Sequence, residues 1–253
     1  MIDRFANRHW VTLFLGMAVA VCSWSAEVIV AVAANFTVPM KHISQQFEQE
    51  TGHQVVLAFG STGKFYAQIK QGAPFHVLVA GDQITPSRLV DEQVAVKGTQ
   101  FTYAIGELVL WSAVSNLLGR TRETLIARDF NRIAVANPKL APYGRAGYQV
   151  LQRLGLLEVV RDRLVQGENI SQAYQFVATE NAELGFVALS QVLSANSTSE
   201  ESFWRVPQAY YEPIKQDAAL LNKGLDNPAA GALLDYLRGD KARKIIRSFG
   251  YKY

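Results

Sequence analysis

Cysteine is almost absent from this sequence: its 253 residues include only one, Cys22. Cys22 lies within an N-terminal stretch, residues 1–25, that has the pattern of a secretory signal, so we expect the mature chain to contain no cysteine. That absence excludes disulfide bonds, catalysis by a thiol and metal binding through thiolates. An exported protein without disulfides suits a bacterial periplasm, where we expect this one to be located.

The predicted signal has the parts that export requires. They are a basic start at Arg4 and Arg8, an apolar run at residues 11–21, and small residues at Ser23 and Ser25 before a cleavage site at Ala26. The apolar run is short for a membrane span. Two alternatives stay open: an uncleaved N-terminal anchor, and a lipoprotein attached through Cys22, although Val21 is bulky for the position before a lipidated cysteine.

A strong excess of charge is also missing. The whole chain has 25 basic and 22 acidic residues, and loss of Arg4, Arg8 and Asp3 with the leader leaves 23 and 21, a net charge of +2. The charges are scattered, so we expect no nucleic-acid partner. No second apolar run reaches the length of a membrane span. The remaining 228 residues can form one large or two modest domains.

Motifs of enzymes and metal sites are missing as well. The four histidines, at positions 9, 42, 53 and 76, have no ligand spacing with one another or with a carboxylate, so we expect no direct metal ligands. There is no nucleophile elbow or dinucleotide fingerprint, and the stretch S-T-G-K at residues 61–64 lacks the glycine framework of a P-loop. We therefore expect that the protein is not an enzyme and has no cofactor.

What the sequence does contain is an alternation of predicted strands and helices, which favours an α/β fold. Short strands are predicted at residues 28–33, 53–59, 76–80, 132–136, 164–165, 184–188 and 218–221. A longer strand at 103–112 is predicted to cross between two lobes, and residues 210–213 to carry the chain back. We accordingly predict a first lobe of residues 26–104 and 210–253, and a second lobe of residues 105–209.

Four predicted junctions between a strand and a helix have a similar composition. They lie at residues 34–35, 61–63, 143–144 and 169–171, and the third belongs to a predicted loop, 141–147, before a helix at 148–154. The start of a helix carries free N–H groups and partial positive charge, so an anion can bind there without a countercharge. For any one junction, ordinary capping by Asn, Ser or Thr is the simpler interpretation.

Charged residues near these junctions are few. Lys64 and Arg145 lie in the same loops as two of them and could steer an anion electrostatically, but we expect them to be solvated rather than to bind it directly. Asp82 is expected to be an ordinary acid at the start of a helix.

Taken together, six stretches resemble the periplasmic molybdate-binding proteins of ABC importers. They are VAVAANF (30–36), FGSTGKFYAQIKQGAP (59–74), VLVAGD (77–82), FTYAIGELVLWS (101–112), NPKLAPYGRAG (137–147) and LGFVALSQV (184–192). The resemblance covers nearly all of the mature chain. It implies a two-lobed type II binding-protein fold, each lobe a mixed sheet flanked by helices, with molybdate or tungstate between the lobes. The partner would be a permease in the inner membrane, and we expect a monomer.

The resemblance also implies a ligand set. Its positions fall on Ala34, Asn35, Ser61, Thr62, Tyr143 and Ile170. Ala34 and Ile170 can contribute only a main-chain N–H, whereas Asn35, Thr62 and Tyr143 can add side-chain donors. The chain departs from some relatives in having Ala188 in place of a tyrosine, and alanine in place of a threonine at position 34. The alternatives are a carrier of sulfate or another tetrahedral oxyanion and, in a different class, a secreted α/β enzyme.

Overall fold

The computed structural model of the protein describes residues 25–114, 117, 121–195 and 202–253. The predicted signal and Cys22, apart from Ser25, lie outside these residues. Across the part of the chain that is described, none of the helices combines the length and the apolar character needed to cross a membrane.

The first lobe is built on a mixed five-stranded sheet with the order β2-β1-β3-β10-β4. Its strands are β1 (Glu27–Ala33), β2 (Gln54–Gly60), β3 (Val77–Val79), β4 (Phe101–Gly106) and β10 (Ile214–Leu220). Strand β1 runs parallel to β2 and β3, and β10 runs antiparallel to both of its neighbours. The helices of this lobe are α1 (Thr37–Thr51), α2 (Thr62–Lys70), α3 (Ile84–Asp91), α8 (Pro228–Arg238) and α9 (Asp240–Ser248).

The second lobe has its own mixed five-stranded sheet, with the order β7-β6-β8-β5-β9. Its strands are β5 (Leu108–Trp111), β6 (Ile133–Ala136), β7 (Leu164–Gly167), β8 (Leu184–Ala188) and β9 (Phe203–Arg205). Its helices are α4 (Thr121–Ala127), α5 (Pro142–Arg153), α6 (Ile170–Ala178) and α7 (Leu189–Ser194). The predicted fold, two mixed sheets flanked by helices, is confirmed.

Local sequence accounts for the elements that lead to the first junction. Helix α1 buries Met40, Ile43 and Phe47, the apolar residues at helical spacing, against the first sheet. It ends at Gly52, whose φ of 74° is the left-handed conformation that glycine adopts most easily at the end of a helix. Strands β1 and β6, ahead of the first and third junctions, carry runs of small and β-branched residues that are largely buried on both faces, as parallel strands covered by helices require. Strands β2 and β7, ahead of the other two junctions, lie at the edges of their sheets and are only partly buried.

The crossing between the lobes differs from the prediction of one long strand over residues 103–112. Two strands are present instead: β4 pairs with β10 in the first sheet, whereas β5 pairs with β8 and β9 in the second. Glu107 separates them, and its carbonyl accepts a hydrogen bond from the Leu189 N–H at the start of α7. The hydrophobic pattern is continuous through Glu107, so it could not reveal that the ladder partners change there.

The predicted loop at residues 141–147 is also wrong, because these residues form the first two turns of α5. Pro142 occupies the first helical position, where a missing N–H carries no penalty. Gly144 and Gly147 let the helix approach the sheet: a Cβ on Gly144 would lie 2.3 Å from the Ala136 carbonyl oxygen. These glycines are therefore packing residues within a helix, not residues of a turn.

This packing predicts opposite effects for two helical glycines. Replacing Gly144 with alanine forces α5 away from β6, so we expect the free energy of unfolding to fall by about 1–3 kcal/mol. The matched control is Gly231→Ala in α8, where a Cβ would have nothing within 4 Å. That substitution should raise the free energy of unfolding by up to about 1 kcal/mol, the helix preference of alanine over glycine. Urea denaturation measures both, and equal behaviour of the two variants would contradict the packing argument.

Candidate anion-binding site

The four junctions meet in one pocket between the lobes. All six residues of the predicted ligand set line it: Ala34, Asn35, Ser61, Thr62, Tyr143 and Ile170. None of the six is more than 6 % exposed. The first four come from the carboxyl ends of β1 and β2 in the first lobe, and the other two from the starts of α5 and α6 in the second. Each lobe thus contributes two helix starts to the same space.

The first junction forms a short 3-10 helix, Ala34–Phe36, ahead of α1. Its first N–H groups have no carbonyl partner within the helix, so they are available as donors to the pocket. The side chain of Asn35, by contrast, is used inside the protein: Nδ2 donates to Gln216 Oε1 at 2.7 Å and to Tyr251 Oη at 3.0 Å. In this structure Asn35 therefore offers its main-chain N–H to the pocket, rather than the side-chain donor that the sequence suggested. Nor does its side chain cap a helix.

The second junction contains the most distinctive polar group of the site. The Ser61 hydroxyl is buried and has no hydrogen-bond partner in the part of the chain that the structure describes. Beside it, Thr62 Oγ1 accepts a hydrogen bond from Gly81 N at 2.9 Å, which leaves the hydroxyl hydrogen of Thr62 free to donate. A buried hydroxyl without a partner is costly, and such groups in native proteins call for an explanation such as a ligand.

The start of α5 supplies Tyr143. Because Pro142 has no N–H, the Tyr143 N–H is the first donor of that helix. The Tyr143 hydroxyl reaches the first lobe, where it accepts a hydrogen bond from Gln216 Nε2 at 3.3 Å. Burial raises the pKa of the Tyr143 hydroxyl well above its ordinary value, so it stays protonated and neutral.

The start of α6 supplies Ile170 and is the one junction of the four where the side chain of the N-cap residue accepts hydrogen bonds from the helix. Asn169 Oδ1 accepts from Ser171 N and Gln172 N, both at 3.0 Å. This cap leaves out the N–H of Ile170, the first residue of the helix, and Ile170 lines the pocket. Capping and anion binding are therefore compatible here, because they use different N–H groups.

The pocket is small and has no charged lining. Besides the six residues, it is lined by Ala33, Gly60, Ala141, Pro142 and Asn169. The space open to the centre of a water molecule is about 10 Å³, far below the roughly 300–1,000 Å³ of sites for organic ligands. A space of this size, surrounded by neutral donors and helix starts, suits a compact anion.

The charged residues near the junctions lie outside this lining and join the two lobes. Lys64 Nζ is 2.5 Å from Glu168 Oε2, and Arg145 Nη2 is 3.0 Å from Asp82 Oδ2. Asp82 also accepts a hydrogen bond from Thr85 N at the start of α3, as expected of an acid at that position. The two basic side chains are thus paired across the interface, which sequence reasoning did not anticipate.

Other cross-lobe contacts involve main-chain groups next to the pocket. Ser171 Oγ donates to the Ala34 carbonyl at 3.2 Å, and Ser190 Oγ donates to the Asn35 carbonyl at 3.0 Å. The Gly63 N–H donates to the Leu140 carbonyl at 3.0 Å. These bonds hold the two lobes together around the pocket, so the structure represents a closed form.

Sequence reasoning missed the residues behind the pocket. Gln216, Tyr103, Tyr251 and Ser190 are buried and form hydrogen bonds with Asn35, with Tyr143 or with one another. The last strand was predicted to begin at Ala218 and begins at Ile214, which excluded Gln216 from consideration. The polar Gln216, two residues before the predicted strand, was the signal in the sequence that could have pointed to this network.

The described residues contain no group of three or more His, Cys, Asp and Glu side chains that could hold a metal ion. The lining of the pocket instead offers neutral hydrogen-bond donors, which can hold an anion.

The comparison with known proteins agrees with this architecture. The family model for bacterial extracellular solute-binding proteins matches residues 28–252. The chain is 54 % identical to the molybdate-binding protein ModA of Azotobacter vinelandii over 94 % of each chain, and 48 % identical to that of Rhodobacter capsulatus over 94 % of this chain and 93 % of the relative. The solved structure of the A. vinelandii periplasmic molybdate-binding protein superposes with a TM-score of 0.85 at 39 % identity, covering 89 % of this chain and 99 % of that one. The chain belongs to the family of bacterial extracellular solute-binding proteins.

Proposed function

We propose that the protein captures molybdate between its two lobes and delivers it to the permease of an ABC importer in the inner membrane. The observation that carries this proposal is the small pocket of neutral donors, in which the buried Ser61 hydroxyl has no partner among the described residues. The relatives described above are molybdate-binding proteins, which supports the choice of this anion.

The absence of a carboxylate from the lining selects for the charge state of the ligand. A doubly charged anion leaves water at a large cost unless its oxygens are hydrogen-bonded. Each bond from a neutral donor to a charged acceptor contributes about 1.5–3 kcal/mol, and several together offset that cost. A protonated anion such as hydrogen phosphate would need an acceptor for its own proton. A carboxylate is the strongest such acceptor, and the lining contains none. The site therefore favours a fully deprotonated tetrahedral dianion.

Binding between the lobes also provides the signal for delivery. The open protein can offer the anion only one half of the donors, whereas the closed protein offers both halves. A ligand stabilises the state in which it makes more contacts, so the oxyanion shifts the equilibrium to the closed form. That form would be the one that docks on the permease.

Further properties belong to the same proposal. We infer that tungstate, of the same shape and charge, binds to the same donors. We also infer that residues 1–25 are removed during export to the periplasm, that the mature protein acts as a monomer, and that capture and release involve no catalysis. The N-terminal assignment rests on the sequence pattern alone, since that segment lies outside the described residues.

Isothermal titration of refolded, ligand-free mature protein tests the proposal. Molybdate and tungstate should bind with one site per chain, and each should raise the melting temperature in proportion to the logarithm of its concentration above Kd. Phosphate at pH 7 should produce little change. Sulfate, run in parallel, tests the selectivity: an equal response to sulfate would indicate a general oxyanion carrier, and no response to molybdate or tungstate would refute the proposal.

The unpartnered hydroxyl at Ser61 predicts a separation of binding from stability. The substitution Ser61→Ala should weaken molybdate binding by about 1.5–3 kcal/mol, because it removes a donor to a charged oxygen. The melting temperature of the ligand-free protein should not fall, since the hydroxyl has no partner to lose. Ser44→Ala is the matched control, because Ser44 is also a buried serine without a partner but lies on α1, outside the pocket. Equal loss of binding in both variants would remove Ser61 from the site.

The ion pair between Lys64 and Glu168 predicts a small effect. Both side chains are nearly half exposed, and exposed pairs contribute about 0–1 kcal/mol. We therefore expect Lys64→Gln and Glu168→Gln to weaken molybdate binding similarly, by less than about fivefold. The difference from wild type should shrink at 1 M salt, where the screening length is about 3 Å. A loss of about a hundredfold in Lys64→Gln alone would make Lys64 a direct ligand of the anion.

A further inference from the structure

Behind the pocket lies a buried polar network with Gln216 at its centre. Gln216, on β10, is completely buried. Its Oε1 accepts a hydrogen bond from Asn35 Nδ2 at 2.7 Å, and its Nε2 donates to Tyr143 Oη at 3.3 Å. Asn35 belongs to the first lobe and Tyr143 to the second, so a single amide joins the two halves of the pocket without lining it.

An irregularity in the sheet lies beside this side chain. Along β4 and β10, Gln216 lies opposite Ala104, but Asp217 lies opposite Thr102, so Tyr103 is an extra residue on β4. Such bulges commonly re-aim side chains next to functional sites. Here the hydroxyl of Tyr103 lies 3.0 Å from Gln216 Oε1, within the first lobe.

The same network holds Asn35 from other directions. Tyr251 Oη accepts the second Nδ2 hydrogen of Asn35 at 3.0 Å and donates to the Asn35 carbonyl at 2.8 Å. Ser190 Oγ, from the second lobe, also donates to that carbonyl. These bonds hold the side chain and the carbonyl of Asn35 in place where the residue lines the pocket.

From this geometry we propose that Gln216 is a positioning residue for oxyanion binding, because it links Asn35 to the Tyr143 hydroxyl and aligns the donors of the two lobes in the closed form. The inference rests on the proposed function, since it concerns the same pocket. Opening of the lobes breaks the bond between Gln216 and Tyr143, so this bond is one of the contacts that distinguish the two states. Its effect on binding is indirect and acts through Asn35 and Tyr143.

Gln216 is itself neutral, and the tyrosine side chains around it keep their protons near neutral pH. The titratable side chains that face it are Tyr103, Tyr143 and Tyr251, and the neighbouring Asp217 is bound by other side chains of the first lobe. Burial raises the pKa of Tyr103 and Tyr143 well above the ordinary value and that of Tyr251 to about 12. A charge introduced at position 216 would therefore have no nearby group to neutralise it between pH 6 and pH 8.

The first test is the pH profile of molybdate binding by Gln216→Glu, which keeps the shape of the side chain. Burial and the bound dianion both raise the pKa of the introduced carboxyl, to the range of about 8–9 reported for buried acids. Its charged form opposes the dianion, so affinity should be about a hundredfold below wild type at pH 8.5 and should recover as the pH falls to 6. Wild type should show little change over this range. Because a charge at this place would oppose the dianion even without the link to Tyr143, the double-mutant cycle below assigns the effect to positioning.

The second test is a double-mutant cycle with Gln216→Met and Tyr143→Phe, measured by titration with molybdate. Each single variant should bind about tenfold more weakly, and the double variant should be no weaker than about twofold below the weaker single variant, because both changes remove the same bond. The matched control is Tyr103→Phe, which removes a neighbour of Gln216 within the first lobe alone and should stay within about threefold of wild type. Melting curves of the ligand-free variants establish that each is folded.

The outcomes separate this inference from the function on which it rests. If wild type binds molybdate and the variants at position 216 bind it equally well at every pH, the inference is wrong and the proposed function stands. Strictly additive losses in the cycle would also refute it. If wild type binds neither molybdate nor tungstate, the proposed function fails, and the inference fails with it.

Discussion

A dianion can leave water only when its oxygens receive hydrogen bonds in return, and in this protein those bonds come without any formal positive charge. The donors that the pocket offers are N–H groups at helix starts, together with the hydroxyls of Ser61 and Thr62. One helix start offers only a few N–H groups, so several must converge. Both sheets direct helix starts toward the same space, and the separation into two lobes follows from the need to open that space. The arrangement of sheets, crossings and closing contacts is thus organised around one small volume.

The same constraint explains why polar groups near the pocket differ in how well they are satisfied. Asn35, Gln216 and Tyr251 are bonded within the protein, which holds them in place. Ser61 has no partner, and this lowers the stability of the ligand-free closed form. An unpaired hydroxyl in a ligand site lowers stability but strengthens binding. A donor that is already paired would have to break its bond before it could hold the anion. Rigid surroundings and a free donor are complementary requirements of the same site.

Much of this could be predicted from short-range sequence patterns. Buried strands such as residues 28–33, the helix that ends at Gly52, and the strand at 184–188 follow from periodicity and from glycine at a helix end. The six site residues were located through the resemblance, and they do line one pocket. Long-range pairing could not be predicted. The partner of Asn35 lies 181 residues away on β10, and nothing local in the sequence indicates that its amide turns inward to Gln216 rather than toward a ligand. Glycines 144 and 147 suggested a turn because their role depends on how closely a helix approaches a sheet.

Delivery requires that the closed form be stable with the ligand and unstable without it, and the magnitudes are consistent with this. Changing a closed population from about 1 % to about 99 % takes about 5.5 kcal/mol of differential binding. In the proposed site the second lobe contributes the N–H groups of Tyr143 and Ile170, and two bonds to charged oxygens, at about 1.5–3 kcal/mol each, give about 3–6 kcal/mol, a range that includes that value. The protein's own closing contacts are weaker individually. The ion pairs of Lys64 and Arg145 involve exposed basic side chains, and the remaining bonds join neutral groups. A strong, fully buried ion pair between the lobes would hold the protein closed without its ligand, so neutral donors in the pocket and half-exposed basic side chains around it serve release as well as capture.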